Sequence, residues 1–355
     1  MIASATGEQF GKALAVILED PSVDAALVIN IPVRPYQEVA SGIQHELAGY
    51  KGEKPVVACF MMSKTNTVEL CLSPDCRVPV YMFPEDAVQA FFHSYTYSRY
   101  KTIKAGTVPV FPEAAEAKAR QYLEPSGVLK NGGWLLPESA LGLLREYGIP
   151  AAETRAAFSA EEAVKAALEI GFPVVMKLRS TTITHKTDVR GVLLGLQSED
   201  EVRQGYEEMK TRLETAGQVK AMEGVILQPL VKAGEEIILG MSLDPVFGPL
   251  VMVGLGGIQV ELMKDVAFSI HPLTDIDPDY MFSQLKGFPL LQGWRGSPPR
   301  DIDAVREVLL RFSALIEDFP EITAVEINPL MVFDQGKGTM AVDARILFKS
   351  VTAAG

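Results

Sequence analysis

VVMKLRSTTITHKTDVRGV, residues 174–192, decides how the rest of this chain is read. Its first five residues form a short apolar run, the pattern of a buried strand. That strand carries Lys177 to one end of a sheet. An ammonium buried without a partner costs several kcal/mol, so the lysine must reach solvent or an anion, and phosphate is its natural partner. The Thr-rich loop that follows presents His185, Lys186, Thr187 and Asp188. An imidazole there can take a phosphoryl group on either ring nitrogen. The same spacing also describes an exposed loop with a chance His and Lys, and the residues alone leave both readings open. GVLLGL (191–196) is the expected partner strand.

Working outward, LLPESALGLLREYGIP (135–150) predicts a helix ended by Gly148 and Pro150. Ser159 and Glu162 have capping-box spacing ahead of a helix that stops at Gly171, and Glu199 to Ala216 reads as a solvated outer helix. Downstream, VILQPL, EIILGMSL, PLVMVGLG, AVEINPLMVF and TMAVDARIL are strand-like with antiparallel-style alternation. Residues 136–349 are therefore expected to form two α+β lobes, about 136–220 and 221–349. Upstream, the apolar runs AALVINIP, KPVVACFMM and VPVYMFP alternate with helical stretches, which implies a parallel sheet covered on both faces. Residues 1–104 read as a flavodoxin-like α/β domain. Pro109, Pro112, Pro125 and the Asn131-Gly132-Gly133 turn mark 105–135 as a linker.

Three further features bear on chemistry. In GLGGIQVELMKD (254–265), Gly256 and Gly257 free backbone N–H groups to face an anion, or simply make a tight turn. Glu326 and Asn328 are two apart on a strand and share a side, and Asp343 comes within reach if the next strand folds back through DQGKG. Such oxygens suit Mg²⁺ completed by substrate phosphates, or else an internally hydrogen-bonded polar face. Gln228 ends an apolar strand and Glu236 opens the next, as in a hinge whose backbone takes an adenine edge, or in a plain strand–turn–strand.

Composition narrows the class. Of 355 residues, 48% are hydrophobic and 22% charged, too apolar for a disordered chain. A net charge of −12 argues against non-specific binding to nucleic acid or a membrane surface. Cys59, Cys71 and Cys76 are odd in number and lack paired CxxC spacing, so reduced thiols are expected and a zinc site is not. The start lacks signal-peptide organisation and no apolar run reaches the ~18 residues of a membrane helix. A cytoplasmic protein is expected.

Taken in order, LLREYGIP (143–150), GFPVVMKL (171–178), THKTDVRGV (184–192), the run from Asp244 to Phe268, GWRG (293–296), EINPL (326–330) and AVDARI (341–346) resemble the ADP-forming acyl-CoA synthetases, the family of acetate–CoA ligase related to succinyl-CoA synthetase. DPSVDAALVI and VPVYMFPEDAVQAF resemble the α/β subdomain that precedes the ATP-grasp part in fused members. The resemblance implies a two-lobed ATP-grasp domain after the flavodoxin-like one. It implies the reaction acid + CoA + ATP ⇌ acyl-CoA + ADP + phosphate through acyl phosphate and phosphohistidine. His185 would be the second histidine of that relay, and Lys186, by our own inference, a cation that helps neutralise the phosphate. By resemblance Lys177 would contact ATP phosphates under a loop running through Gly191. Gln228 and Val231 would lie at the adenine hinge, Glu236 on the ribose, and Asn328 and Asp343 on Mg²⁺ with Glu326 in support. The chain departs from the pattern with Arg190 where the family usually has glycine, and with Ser269 where it tends to have arginine. His271, nearby, reads either as a substitute for that arginine or as a satisfied surface histidine. The family's CoA-binding and first-histidine subdomains have no counterpart here, so they are expected in a longer chain or a partner subunit, with CoA bound mainly there and the whole an oligomer. Another ATP-grasp carboxylate ligase and a catalytically silent nucleotide sensor are the rival readings.

Overall fold

The computed structural model describes the chain apart from residues 1–3, 32–35, 53, 62–69, 75, 103–104, 113, 115, 184–188, 232–233, 258–263 and 351–355. It divides into two compact units, Met1–Ala105 and Gly106–Gly355.

The first unit opens with helix α1 (Gly7–Glu19). Its N-terminus is closed reciprocally: the Thr6 hydroxyl accepts from the Gln9 N–H at 3.3 Å, and Gln9 Oε1 accepts from the Thr6 N–H at 2.9 Å. Strands β1 (Ala26–Asn30), β2 (Val56–Phe60) and β5 (Val80–Tyr81) form a parallel sheet with β2 in the middle. All five residues of β2 are buried, which is why its sequence is a continuous apolar run rather than an alternating one. Leu14 and Leu18 of α1 and Val39 and Ile43 of α2 (Tyr36–Glu46) complete the core. The α/β architecture is the expected one. The antiparallel hairpin of β3 (Leu70–Ser73) and β4 (Cys76–Val78) was not anticipated, because strands of three and four residues show too little periodicity. Helix α3 (Pro84–Thr102) follows.

The second unit contains two antiparallel sheets. Strands β7 (Arg155–Ala157), β8 (Val174–Leu178), β9 (Val192–Leu196) and β10 (Val225–Pro229) are ordered β7-β10-β8-β9. Helices α7 (Ala160–Ile170) and α8 (Glu199–Thr215) supply Ala163, Ala167, Val202 and Met209 to its core. The larger sheet is built from β6 (Gly133–Trp134), β11 (Glu235–Asp244), β12 (Gly248–Leu255), β13 (Val266–Ile270), β14 (Ile322–Val332), β15 (Thr339–Ala341) and β16 (Ala344–Phe348). One face buries Leu239, Val251, Val325, Ile327 and Ile346 against α6 (Pro137–Glu146) and the helix Ile302–Asp318.

Two boundaries differ from those the sequence suggested. Strand β10 pairs with β8, so the four-stranded sheet runs to Pro229 rather than ending near 220. The proline-rich stretch read as a linker contributes Ala119, Leu123 and Val128 to the larger core, and its β6 pairs with β16. Helix α4 (Glu116–Arg120) and α5 (Val128–Asn131) are too short to carry a periodic signal.

Candidate nucleotide and phosphoryl-transfer site

Strand β8 alternates. Val174, Met176 and Leu178 enter the core beneath α7 and α8, so Val175 and Lys177 face the other way. The register sets Lys177 beside Ile226 and Val175 beside Gln228, which gives one continuous face of Lys177, Val175, Ile226 and Gln228. Lys177 is only 5% exposed, and its Nζ donates to the Val342 carbonyl at 2.9 Å. The lysine of the four-stranded sheet thus reaches the larger sheet one residue from Asp343.

Asp343 sits in the break between β15 and β16. Its carbonyl accepts from the Asn328 N–H at 3.1 Å, which makes the two residues neighbours across the strands. The Asn328 amide donates to Glu326 Oε1 at 2.9 Å, confirming that these side chains share a side of β14. With its NH₂ donating to Glu326, the exposed amide keeps its oxygen as an acceptor. Two carboxylates and one amide oxygen fit Mg²⁺ that is completed by phosphate oxygens rather than caged by protein. Among the described residues no group of three or more His, Cys, Asp or Glu could hold a metal by itself.

Gln228 is 1% exposed. The Thr154 hydroxyl gives its hydrogen to the Ala152 carbonyl at 3.0 Å, so it accepts from Gln228 Nε2, also at 3.0 Å. That fixes the amide and leaves Gln228 Oε1 a buried acceptor without a hydrogen-bond partner. Val231 is half-buried just beyond, and Glu236 is exposed on β11. The Glu236 carbonyl accepts from the Gly256 N–H at 2.6 Å. A Cβ on Gly256 would lie 2.6 Å from Glu236 Cβ and 2.7 Å from its carbonyl carbon, so only glycine permits this approach. Gly257 follows in a left-handed turn at φ +70°. The glycines therefore close against the ribose candidate.

His185 and Lys186 lie outside the described residues, but both ends of their loop are held. On the leading side, Ser180 Oγ accepts from the N–H groups of Thr182 and Ile183 at 3.2 and 3.0 Å. On the trailing side, buried Gly191 gives its carbonyl to the Leu178 N–H at 2.7 Å. Arg190 has φ +49°, the left-handed region where the glycine expected from the resemblance would sit at ease.

His271 is neither surface-exposed nor poised for an anion. Its side chain is 7% exposed, with Nδ1 3.1 Å from Ser313 Oγ and Nε2 2.8 Å from Glu317 Oε2 on the long helix. Ser269 contacts Asp277 at 3.4 Å. Sequence reasoning missed Thr154, Ser180 and the pair Arg179–Glu138. Only the apolar alternation of β8, extended two residues beyond Lys177, could have drawn attention to Arg179.

The geometry defines a nucleotide-binding class: one antiparallel lobe lays a lysine over a second sheet at an Asn–Asp pair. Residues 128–348 match the family model described as an ATP-grasp domain. The chain is 33% identical to 4-hydroxybutyrate–CoA ligase (ADP-forming) of Nitrosopumilus maritimus over 98% of its own length and 49% of that protein's. It is 40% identical to the beta subunit of acetate–CoA ligase (ADP-forming) II of Pyrococcus furiosus, over 62% of this chain and 95% of that one. A solved acetyl-coenzyme A synthetase 1 of Ca. Korarchaeum cryptofilum, in complex with coenzyme A and Ca-AMPCP, superposes with a TM-score of 0.60 at 38% identity, covering 66% of this chain and all of that one. The chain belongs to the ATP-grasp family found in the ADP-forming acid–CoA ligases. It spans about half the length of the first curated relatives it matches. No helix among the described residues is long and apolar enough to cross a membrane.

Proposed function

We propose that the chain is the nucleotide-binding and phosphoryl-transferring half of an ADP-forming acid–CoA ligase, working in the cytoplasm with a CoA-binding half in the same longer chain or in a partner subunit. The observation that carries this reading is the bond from Lys177 Nζ to the Val342 carbonyl, which brings a buried ammonium next to the Asn328–Asp343 pair. In the proposed role Lys177 exchanges that carbonyl for a phosphate of ATP. Asn328 and Asp343 would hold Mg²⁺ with Glu326 orienting the amide, and the ion when bound neutralises charge on the phosphates. His185 receives the γ-phosphoryl group through an imidazole nitrogen, ADP leaves, and Lys186 balances the new charge. Glu236 takes the ribose, and Gly256, Gly257 and Gly191 let the backbone come close. The adenine edge lies at Gln228 and Val231.

The test is incubation with γ-labelled ATP and Mg²⁺. Acid-labile label is expected on the wild type and absent from His185→Ala. No label, or equal label in the variant, would overturn the reading. The buried Gln228 oxygen accepts but cannot donate, so it suits the amino group of adenine and opposes the carbonyl of guanine. ATP is therefore expected to outcompete GTP, and Gln228→Leu to narrow that preference by about tenfold in competition calorimetry.

A further inference from the structure

We propose that Arg179 is a positioning residue: it ties the four-stranded lobe to α6 of the larger lobe and so sets the stem of the loop that leaves β8. Lys177 and Arg179 are two apart and project from the same face. Both reach across the seam, Lys177 to Val342 and Arg179 to Glu138. The Arg179 side chain is 11% exposed, with Nε and Nη2 each 2.8 Å from Glu138 Oε1. Glu138 stands in the first turn of α6, whose Leu141, Leu143 and Leu144 are fully buried in the larger core. On its other side, Arg179 Nη1 lies 3.3 Å from the Glu223 carbonyl and 3.5 Å from Glu223 Oε2. Glu223 Oε1 in turn accepts from the Thr181 N–H at 3.0 Å and from the Thr181 hydroxyl. A chain of charge and hydrogen bonds therefore runs from a rigid helix of one lobe to the loop stem of the other. The Phe158 ring, 5.4 Å from the guanidinium, covers it.

The chemistry of this cluster favours geometry over stability. One guanidinium serves two carboxylates, and Glu138 Oε2 is buried without a partner. A partly desolvated ion pair of this kind adds little net stability compared with apolar packing, but it fixes orientation through its fork. When a phosphate draws the Lys177 ammonium away from Val342, the Arg179–Glu138 tie still holds the two lobes in register.

This inference rests on the proposed phosphoryl-transfer function for its consequence, though not for its geometry. Arg179→Met leaves Glu138 uncompensated and is expected to lower both the melting temperature and the labelling rate. Arg179→Met with Glu138→Leu removes the closer pair and leaves only Glu223, whose side chain is 31% exposed and is solvated by water. This double variant is expected to recover the melting temperature, yet to keep a labelling rate about 10- to 100-fold below wild type with the Kd for MgATP little changed. Amides 180–183 should exchange hydrogen about tenfold faster in the double variant. Recovery of rate together with melting temperature, or unchanged exchange at 180–183, would overturn the proposal. If the wild type takes no label, the functional reading fails while the exchange measurement still decides the positioning role.

Discussion

Arg190 shows how a single backbone angle separates what a residue contributes from what it costs. At φ +49° an L-residue pays about 1–2 kcal/mol, and glycine pays nothing there but loses more entropy on folding. Arg190→Gly should therefore stabilise the chain slightly, by about 0.5–1 kcal/mol in denaturant titration. Arg212 Nη1 donates to the Arg190 carbonyl at 2.9 Å and loses nothing by the exchange. Gly256 makes the opposite case. Its added Cβ would meet the Cβ and backbone of Glu236, none of which can rotate away, so Gly256→Ala should cost about 1–3 kcal/mol and weaken MgATP binding measured by calorimetry.

Helices are fixed in the fold through their ends and buried contacts. Helices α7 and α8 both start at a serine, Ser159 and Ser198, whose hydroxyl accepts from the N–H three residues on. The capping-box spacing at Ser159 and Glu162 was legible, but the Glu162 carboxylate reaches the Phe158 N–H, one residue before the cap. Ser198→Ala should cost about 1 kcal/mol in thermal unfolding. Beyond α6, Tyr147 is wholly buried and donates to Asp318 Oδ2 at 2.6 Å. Burial first, then the bond to Asp318 and its negative charge, raise the phenol above its ordinary value. A folded pKa above the unfolded one means this stabilisation is complete below about pH 10 and erodes as pH climbs toward the folded value. Melting temperatures from pH 8 to 11 should accordingly fall more steeply for wild type than for Tyr147→Phe, which at neutral pH should be about 1–2 kcal/mol less stable.

At the scale of the molecule, the three hydrophobic clusters respect the division at residue 105. One cluster ends before it, and the other two begin after it. Residues 106–355 expressed alone should unfold cooperatively and, under the proposed function, bind MgATP with the same Kd as the whole chain. A fragment lacking near-ultraviolet circular dichroism would count against that. The lobes were legible because β11, β12, β13, β14 and β16 are long enough to show alternation, and Lys177, Asn328 and Asp343 stood out as candidates because polar groups interrupt apolar runs. The linker was misjudged because prolines punctuate local structure without saying what the segment is buried against.

Periodicity and motif order, which are local properties, determined the succession of strands and helices, the lysine on β8 and the Glu–Asn pair on β14. Tertiary structure alone decided which partners those groups meet. Lys177 and Val342 are 165 residues apart, Gln228 and Thr154 are 74 apart, and Arg179 and Glu138 are 41 apart. Contacts at such separations depend on how sheets register and stack, and no periodicity within one strand carries that information.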